Sequence, residues 1–288
     1  MLWVKFLKKK CVNKKDPDIP VYRRFIGFVK NGVDTLGEKN QKELTAFLKA
    51  NQHSGGGFTD RAGNPDLYYS LFGVLLASSL EMTEALETHK RFIKQKMSQS
   101  KNPIDDFVIM LIQDLLFGNE FRRPSFFKIL KLAFGKNRET SFFYRLFLFL
   151  LATDAFYSKK VTGLFVRLGL IFYTPPAELP CSVYAAYTVA REKAKMKTQK
   201  EKQKLFSFYE ESKGFKVFPE ANESDMLSTA VALFALKTTG ADLRMVAPGC
   251  LSFIQQNYDN GAFLAGTGDN GRDLEYTFYA LLALGTLV

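Results

Sequence analysis

Asp225, Asp273, Glu275 and Tyr276 are the residues of this chain whose types and spacing could do chemistry. Asp225 opens Asp225-Met226-Leu227, and Asp273 opens Asp273-Leu274-Glu275-Tyr276-Thr277, each at the head of an apolar run. Carboxylates gathered at one mouth of a fold can act as general acid or base if an apolar wall raises a pKa. Tyr276 would then orient a substrate. The competing role is mechanical: Asp66, Asp225 and Asp273 recur at one place in a repeated unit. A short acceptor side chain just before an apolar helix is an N-cap that stabilises it by about 1 kcal/mol. Phe58, Tyr68, Tyr69, Phe263 and Arg272 stand beside these acids in the repeat and form the expected substrate wall, although such rings also serve as core. Cys11, Cys181 and Cys250 are odd in number and include no CxxC pair, and the only histidines are His53 and His89. No metal site and no cofactor is expected, and the thiols read as reduced cysteines of a cytosolic protein.

These residues are held by a unit that echoes six times, with second-helix starts near 66, 106, 143, 182, 225 and 273, 37 to 48 residues apart. Near one end run Phe47-Leu48, Gly56-Gly57-Phe58 and Asp66-Leu67-Tyr68-Tyr69; near the other, Phe253-Ile254, Gly261-Ala262-Phe263 and Asp273-Leu274-Glu275-Tyr276. Leu44, Phe47 and Leu48 have helical spacing, and the glycines after Asn51 end that helix cheaply. Each unit is therefore a helix, a glycine loop and a second helix. The fifth unit repeats the order with Gly214-Phe215 and Asp225, while the middle units have decayed; Asp105-Asp106 is read there as a cap. A period of this length marks a repeat architecture. The last helix ends the chain on Leu281, Leu282, Leu284, Leu287 and Val288. An apolar end suits a ring in which the last unit packs on the first better than an open solenoid, which needs polar caps. The fold expected is all-α: an α6-α6 toroid of six helical hairpins over residues 39–288, with a basic extension over 1–38, and no strand-like alternation.

The net charge is +11, the pI about 9.4, and 28 residues are phenylalanine. The aromatics suit a large core or a cavity for a long apolar ligand. Basic residues favour acidic partners, but no nucleic-acid module accompanies them and no nucleic-acid partner is expected. Trp3, Phe6 and Leu7 among lysines could press onto a membrane surface, making the N-terminus a candidate for peripheral contact. The runs Phe142 to Ala152 and Val161 to Tyr173 are interrupted by Arg145 and Arg167. Both fall short of the roughly 20 apolar residues of a span and read as buried helices.

At Gly56-Gly57-Phe58, Gly63-Asn64-Pro65-Asp66-Leu67-Tyr68-Tyr69 and Gly271-Arg272-Asp273-Leu274-Glu275-Tyr276-Thr277-Phe278-Tyr279, the chain resembles the αα-toroid family of protein prenyltransferase β subunits and terpenoid cyclases. The resemblance implies an isoprenoid or lipid ligand in the ring and a helical protein partner outside it. In the protein-modifying members zinc is held by an Asp-x-Cys pair and a later His. Here Asp225 remains, but Leu227 stands at the cysteine and Tyr276 at the histidine. Basic residues expected before the Asp-x-Cys segment are replaced by Phe218 to Ser224, with Glu220 and Glu223. The cyclases' DxDD acid motif is absent as well. Two functions are therefore in play. One is a prenyltransferase-like toroid that binds or processes a long apolar substrate in its central cavity without zinc. The other is a non-catalytic toroid that binds a partner, with a filled centre and an exposed apolar or basic face. A carbohydrate enzyme using two mouth carboxylates is the weaker third.

Overall fold

In the three sharp units the same two hydrogen bonds recur, and they show why the sequence folds as it does. The aspartate before each second helix accepts a backbone N–H three residues on: Asp66 from Tyr69 at 2.9 Å, Asp225 from Ser228 at 2.7 Å, and Asp273 from Tyr276 at 2.9 Å. One turn later a hydroxyl receives the phenylalanine N–H of the glycine loop: Phe58 to Ser70 at 2.9 Å, Phe215 to Thr229 at 2.9 Å, and Phe263 to Thr277 at 3.1 Å. The loop is thus sewn to the helix it precedes.

The computed structural model describes residues 19–96, 102–135, 142–157, 166–171, 175–176, 178–266 and 268–288. The basic N-terminus with Trp3, Phe6, Leu7 and Cys11, and most of the run 161–173, lie outside the described residues. The helices are α1 (Val21–Asp34), α2 (Glu38–Ala50), α3 (Leu67–Ser79), α4 (Thr83–Lys96), α5 (Pro103–Phe117), α6 (Phe126–Phe134), α7 (Phe142–Phe156), α8 (Cys181–Lys193), α9 (Gln199–Phe206), α10 (Met226–Thr238), α11 (Ala247–Gln256) and α12 (Leu274–Leu287), with a helical turn at 166–171 before α8. Two-residue antiparallel strands form in the three sharp loops: β1 (Phe58–Thr59) with β2 (Pro65–Asp66), β3 (Tyr209–Glu210) with β4 (Gly214–Phe215), and β5 (Tyr258–Asp259) with β6 (Ala262–Phe263). These hairpins are too short to show alternation in the sequence.

Helices α3, α5, α7, α8, α10 and α12 pack side by side in that order, and α12 packs on α3. The inner ring is closed, and α2, α4, α6, the 166–171 turn, α9 and α11 precede its members as the outer helices. The last unit is fitted to the first at several points. Tyr258 donates to Glu43 at 2.6 Å. At Gly261, where φ is +87°, a Cβ would fall 2.3 Å from the Glu43 carbonyl. Inner helices α3, α10 and α12 are buried on nearly all sides, as an inner layer must be. Within the decayed second unit the cap is Asn102, which accepts from Asp105 at 2.9 Å; Asp105 and Asp106 lie inside the first turn, favourable to the helix dipole. Arg145 is buried and donates to the Gly135 carbonyl at 2.8 Å, so α7 is a core helix that carries its charge to a backbone acceptor. No helix among the described residues is long and apolar enough to cross a membrane.

Residues 21–34, assigned from the sequence to an extension, form a core helix instead. The Val21 N–H of α1 donates to Asp154 at 2.6 Å, Arg23 pairs with Asp114 at 2.7 Å, and Arg24 donates to Thr238 at 3.4 Å. Farther along, Ser79 donates to the Ile26 carbonyl at 3.3 Å. At Gly32 a Cβ would lie 2.1 Å from the Leu281 oxygen, and at Gly285 1.7 Å from the Phe28 oxygen. Asp114, Asp154, Thr238, Ser79 and Gly285 all sit in the last turn of their helices. Helix α1 therefore lies across the end of the ring where the inner helices finish, from the α7 side to α12. The sequence misleads here because α1 has no glycine loop and no capping aspartate, so it does not look like part of the repeat.

Candidate functional site

The opposite end of the ring, where the inner helices begin, gathers the acids. Asp225 caps α10 and Asp273 caps α12, so both carboxylates face helix N-termini, which favour negative charge. Burial outweighs that help: it pushes both carboxyls above the ordinary range, against the Ser228 bonds at Asp225 and the Tyr276 N–H and Arg61 bonds at Asp273. Glu275, on the first turn of α12, accepts from the Tyr68 hydroxyl of α3 at 2.5 Å. Burial first, and the charges of Asp273 and Asp225 next, push Glu275 up to about 7. Tyr276 is pushed up to about 12 by burial and then by Glu275, so its hydroxyl stays protonated at neutral pH. Tyr69, from α3, is raised by burial and by Asp273 and Glu275.

The sequence reading missed the cation that ties this mouth together. Arg61, in the β1–β2 loop, donates through Nε to Asp273 at 2.8 Å and through its two terminal nitrogens to Asp269 at 3.2 and 2.9 Å. Its guanidinium lies 5.7 Å from the centre of the Tyr276 ring. The Arg61 bonds hold the Asp269 carboxyl below the ordinary range. The available signal was a single arginine between Asp60 and Asp66 in a glycine loop; its partners lie 208 and 212 residues away.

Of the residues expected at the site, Asp225, Asp273, Glu275, Tyr276, Tyr68 and Tyr69 come together, and three do not. Phe58 is 1% exposed and stacks on His89 at 4.4 Å, above Gly73, where a Cβ would fall 2.1 Å from the ring. Phe263 is buried in the same layer of the last unit, 5.1 Å from the Tyr258 ring. Both fill space between inner and outer helices. Arg272 points outward: it donates to the Asn260 carbonyl at 2.8 Å and lies over the Phe47 ring at 5.3 Å. It borders a surface cleft of about 430 Å³ with Glu43, Phe47, Asn51 and Asn260.

Between the two ends the ring interior carries a chain of aromatic contacts. Tyr68 meets Phe72 at 5.1 Å, Phe72 meets Phe278 at 5.4 Å, Phe278 meets Phe25 of α1 at 5.9 Å, and Phe25 meets Phe234 at 4.9 Å, which also meets Phe28 at 5.6 Å. Side chains that could line a cavity turn to one another and to α1.

The donors do not fit zinc. Leu227 offers only carbon, and a tyrosine hydroxyl held protonated to about 12 is a poor ligand, which leaves Asp225 alone at the expected triad. Cys181, a buried thiol packed against α10, donates to the Ser228 carbonyl at 3.8 Å, and burial raises it further from thiolate. A diphosphate fares no better, since Arg61 is already shared by Asp273 and Asp269 and the Glu275 carboxyl lies within reach of its charge. The arrangement can hold a proton near neutrality at Glu275, with Tyr68 as its hydrogen-bond donor.

A family model for the prenyltransferase alpha-alpha toroid domain matches residues 26–105 and 181–287, more than half of the chain. No curated protein and no solved structure matches it. The matched segments contain α1 from Ile26 on, the first unit and the last two, and so the capping aspartates, the glycine loops and every carboxylate of the mouth. By that match and by its closed ring of helical hairpins, the chain belongs to the prenyltransferase alpha-alpha toroid family.

Proposed function

We propose that this toroid is a binding protein that works through its outer surface and does not transfer a prenyl group with zinc. The observation that supports it is α1. A central site for a long apolar chain needs an open, apolar interior, and here Phe25 and Phe28 of the chain's own helix meet Phe278 and Phe234 there. The donor chemistry at Asp225, Leu227 and Tyr276 supports the absence of zinc catalysis. Native mass spectrometry of the mildly purified chain, with metal analysis, tests the proposal. A bare polypeptide mass without stoichiometric zinc is expected; a co-purifying isoprenoid or one zinc per chain overturns it.

One observation favours a second reading, in which an isoprenoid or similar apolar substrate is processed at the acid mouth. Glu275 is pushed up to about 7 beside Tyr68, a poise suited to proton transfer. That reading requires a ligand adduct whose retention changes in Glu275→Gln.

A further inference from the structure

We propose that the flank of the ring at α6 and the 166–171 turn docks on an anionic lipid surface. The proposal rests on the reading that the outer surface carries the binding, and it names the partner. Residues 121–177 contain ten Lys and Arg against two acidic residues, Glu139 and Asp154, and of these cations Arg122, Arg123, Lys128, Lys131 and Arg167 are exposed among the described residues. The stretch lies within the segment 106–180 that departs from the family pattern. No acidic residue occurs between Glu120 and Glu139.

Helix α6 buries Ile129 and Ala133 toward the ring. Its other side should then be polar. It instead presents Phe127, 79% exposed, and Phe134, 52% exposed, with Lys128 and Lys131 exposed between them. Seven residues are close to two helical turns, so the two rings share one side. Arg122 and Arg123 are exposed just before the helix. On the outer element that follows in the ring, Leu168 and Ile171 are exposed beside Arg167. Elsewhere among the described residues, exposed Phe218, Met245 and Val288 stand singly.

Apolar side chains seek hydrocarbon and the cations seek anions, and one surface supplies both. At an anionic bilayer the phenylalanines, Leu168 and Ile171 enter the acyl boundary while lysine and arginine heads stay at headgroup level. A nucleic-acid backbone would satisfy the cations but leave Leu168 and Ile171 in water. An apolar protein groove would bury the lysines unpaired.

Sedimentation of the full chain with vesicles of phosphatidylcholine, alone or with 30% phosphatidylserine, tests the assignment. Binding to the anionic vesicles should exceed binding to the neutral ones by about tenfold or more, since each basic side chain near such a surface contributes about 1 kcal/mol. It should fall by at least about tenfold in Phe127→Ser/Phe134→Ser and in Lys128→Glu/Lys131→Glu. Both pairs are exposed, so the melting midpoint should hold. As a second readout, Phe127→Trp in a Trp3→Phe chain should shift its emission to the blue on anionic vesicles. The lipid assignment is overturned by equal binding to both vesicles, or by loss of binding only when Lys5, Lys8, Lys9 and Lys10 are replaced by Gln. Unmoved emission in the Phe127→Trp chain, or retention of RNA or an acidic protein in place of vesicles, overturns it too. Those failures leave the outer-surface reading standing if the protein is bare; a co-purifying isoprenoid removes that reading whatever the vesicles do.

Discussion

Glu275 is the residue where burial and chemistry meet. Its carboxyl is raised from an ordinary value to about 7, so the folded state holds a proton that the unfolded state has released. Stability is therefore greatest at low pH for this group and falls as pH rises from about 4.5 to about 7. The loss has an upper bound of about 3 kcal/mol. Glu275→Gln should flatten that slope in urea melts taken at pH 5 and pH 8, while an unchanged slope would show that Glu275 titrates normally. Arg61 works in the opposite sense. Arg61→Met leaves Asp273 buried without its cation and should cost about 1–3 kcal/mol. The same change should raise the Asp269 carboxyl toward its ordinary pKa, read by carboxyl carbon NMR. Asp225 and Asp273 were legible because the capping aspartate recurs; Arg61 was not, because its role depends on residues at the far end of the chain.

At the scale of elements, capping and close packing make separate predictions. Asp225→Ala removes the acceptor for the Ser228 N–H and should cost about 1 kcal/mol of stability. In Asp225→Asn, which still caps, most of that should return. The crossing of α1 and α12 tolerates no side chain: a Cβ at Gly285 would sit 1.7 Å from the Phe28 oxygen. Backbone cannot yield as a side chain can, so Gly285→Ala should cost at least about 2 kcal/mol. A melt indistinguishable from wild type would mean that α1 is not seated on α12. The close approach of Gly285 and Gly32 was not legible in the sequence, since nothing in the repeat marks α1 as a ring element.

For the whole molecule, α1 decides what the ring can do. Its aromatic side chains join those of α10 and α12, and its first turn is tied to α5, α7 and α10. A chain lacking residues 1–36 should bind anilinonaphthalene sulfonate strongly and melt at a lower temperature, because Phe234 and Phe278 lose their cover. If the truncated chain melts like the full one and binds no dye, α1 is a detachable flap and the central site reopens as a candidate. The decayed units 106–180 fit the same view: they keep the ring closed through α5, α7 and α8 while their described outer side exposes Phe127, Phe134, Lys128 and Lys131.

The sequence alone determined the period, the paired helices, the capping aspartates and the closure of the ring, because each follows from local rules repeated at a fixed spacing. It also determined that Leu227 and Tyr276 stand at the family's ligand positions, since that is a matter of residue identity. Only the tertiary structure decided which aromatics face inward, that Phe58 and Phe263 belong to the layer between helices, that Arg272 points outward, and that α1 lies across one end. Those outcomes depend on contacts between residues far apart in the chain, and a periodic pattern in one chain does not specify which of its apolar faces meet.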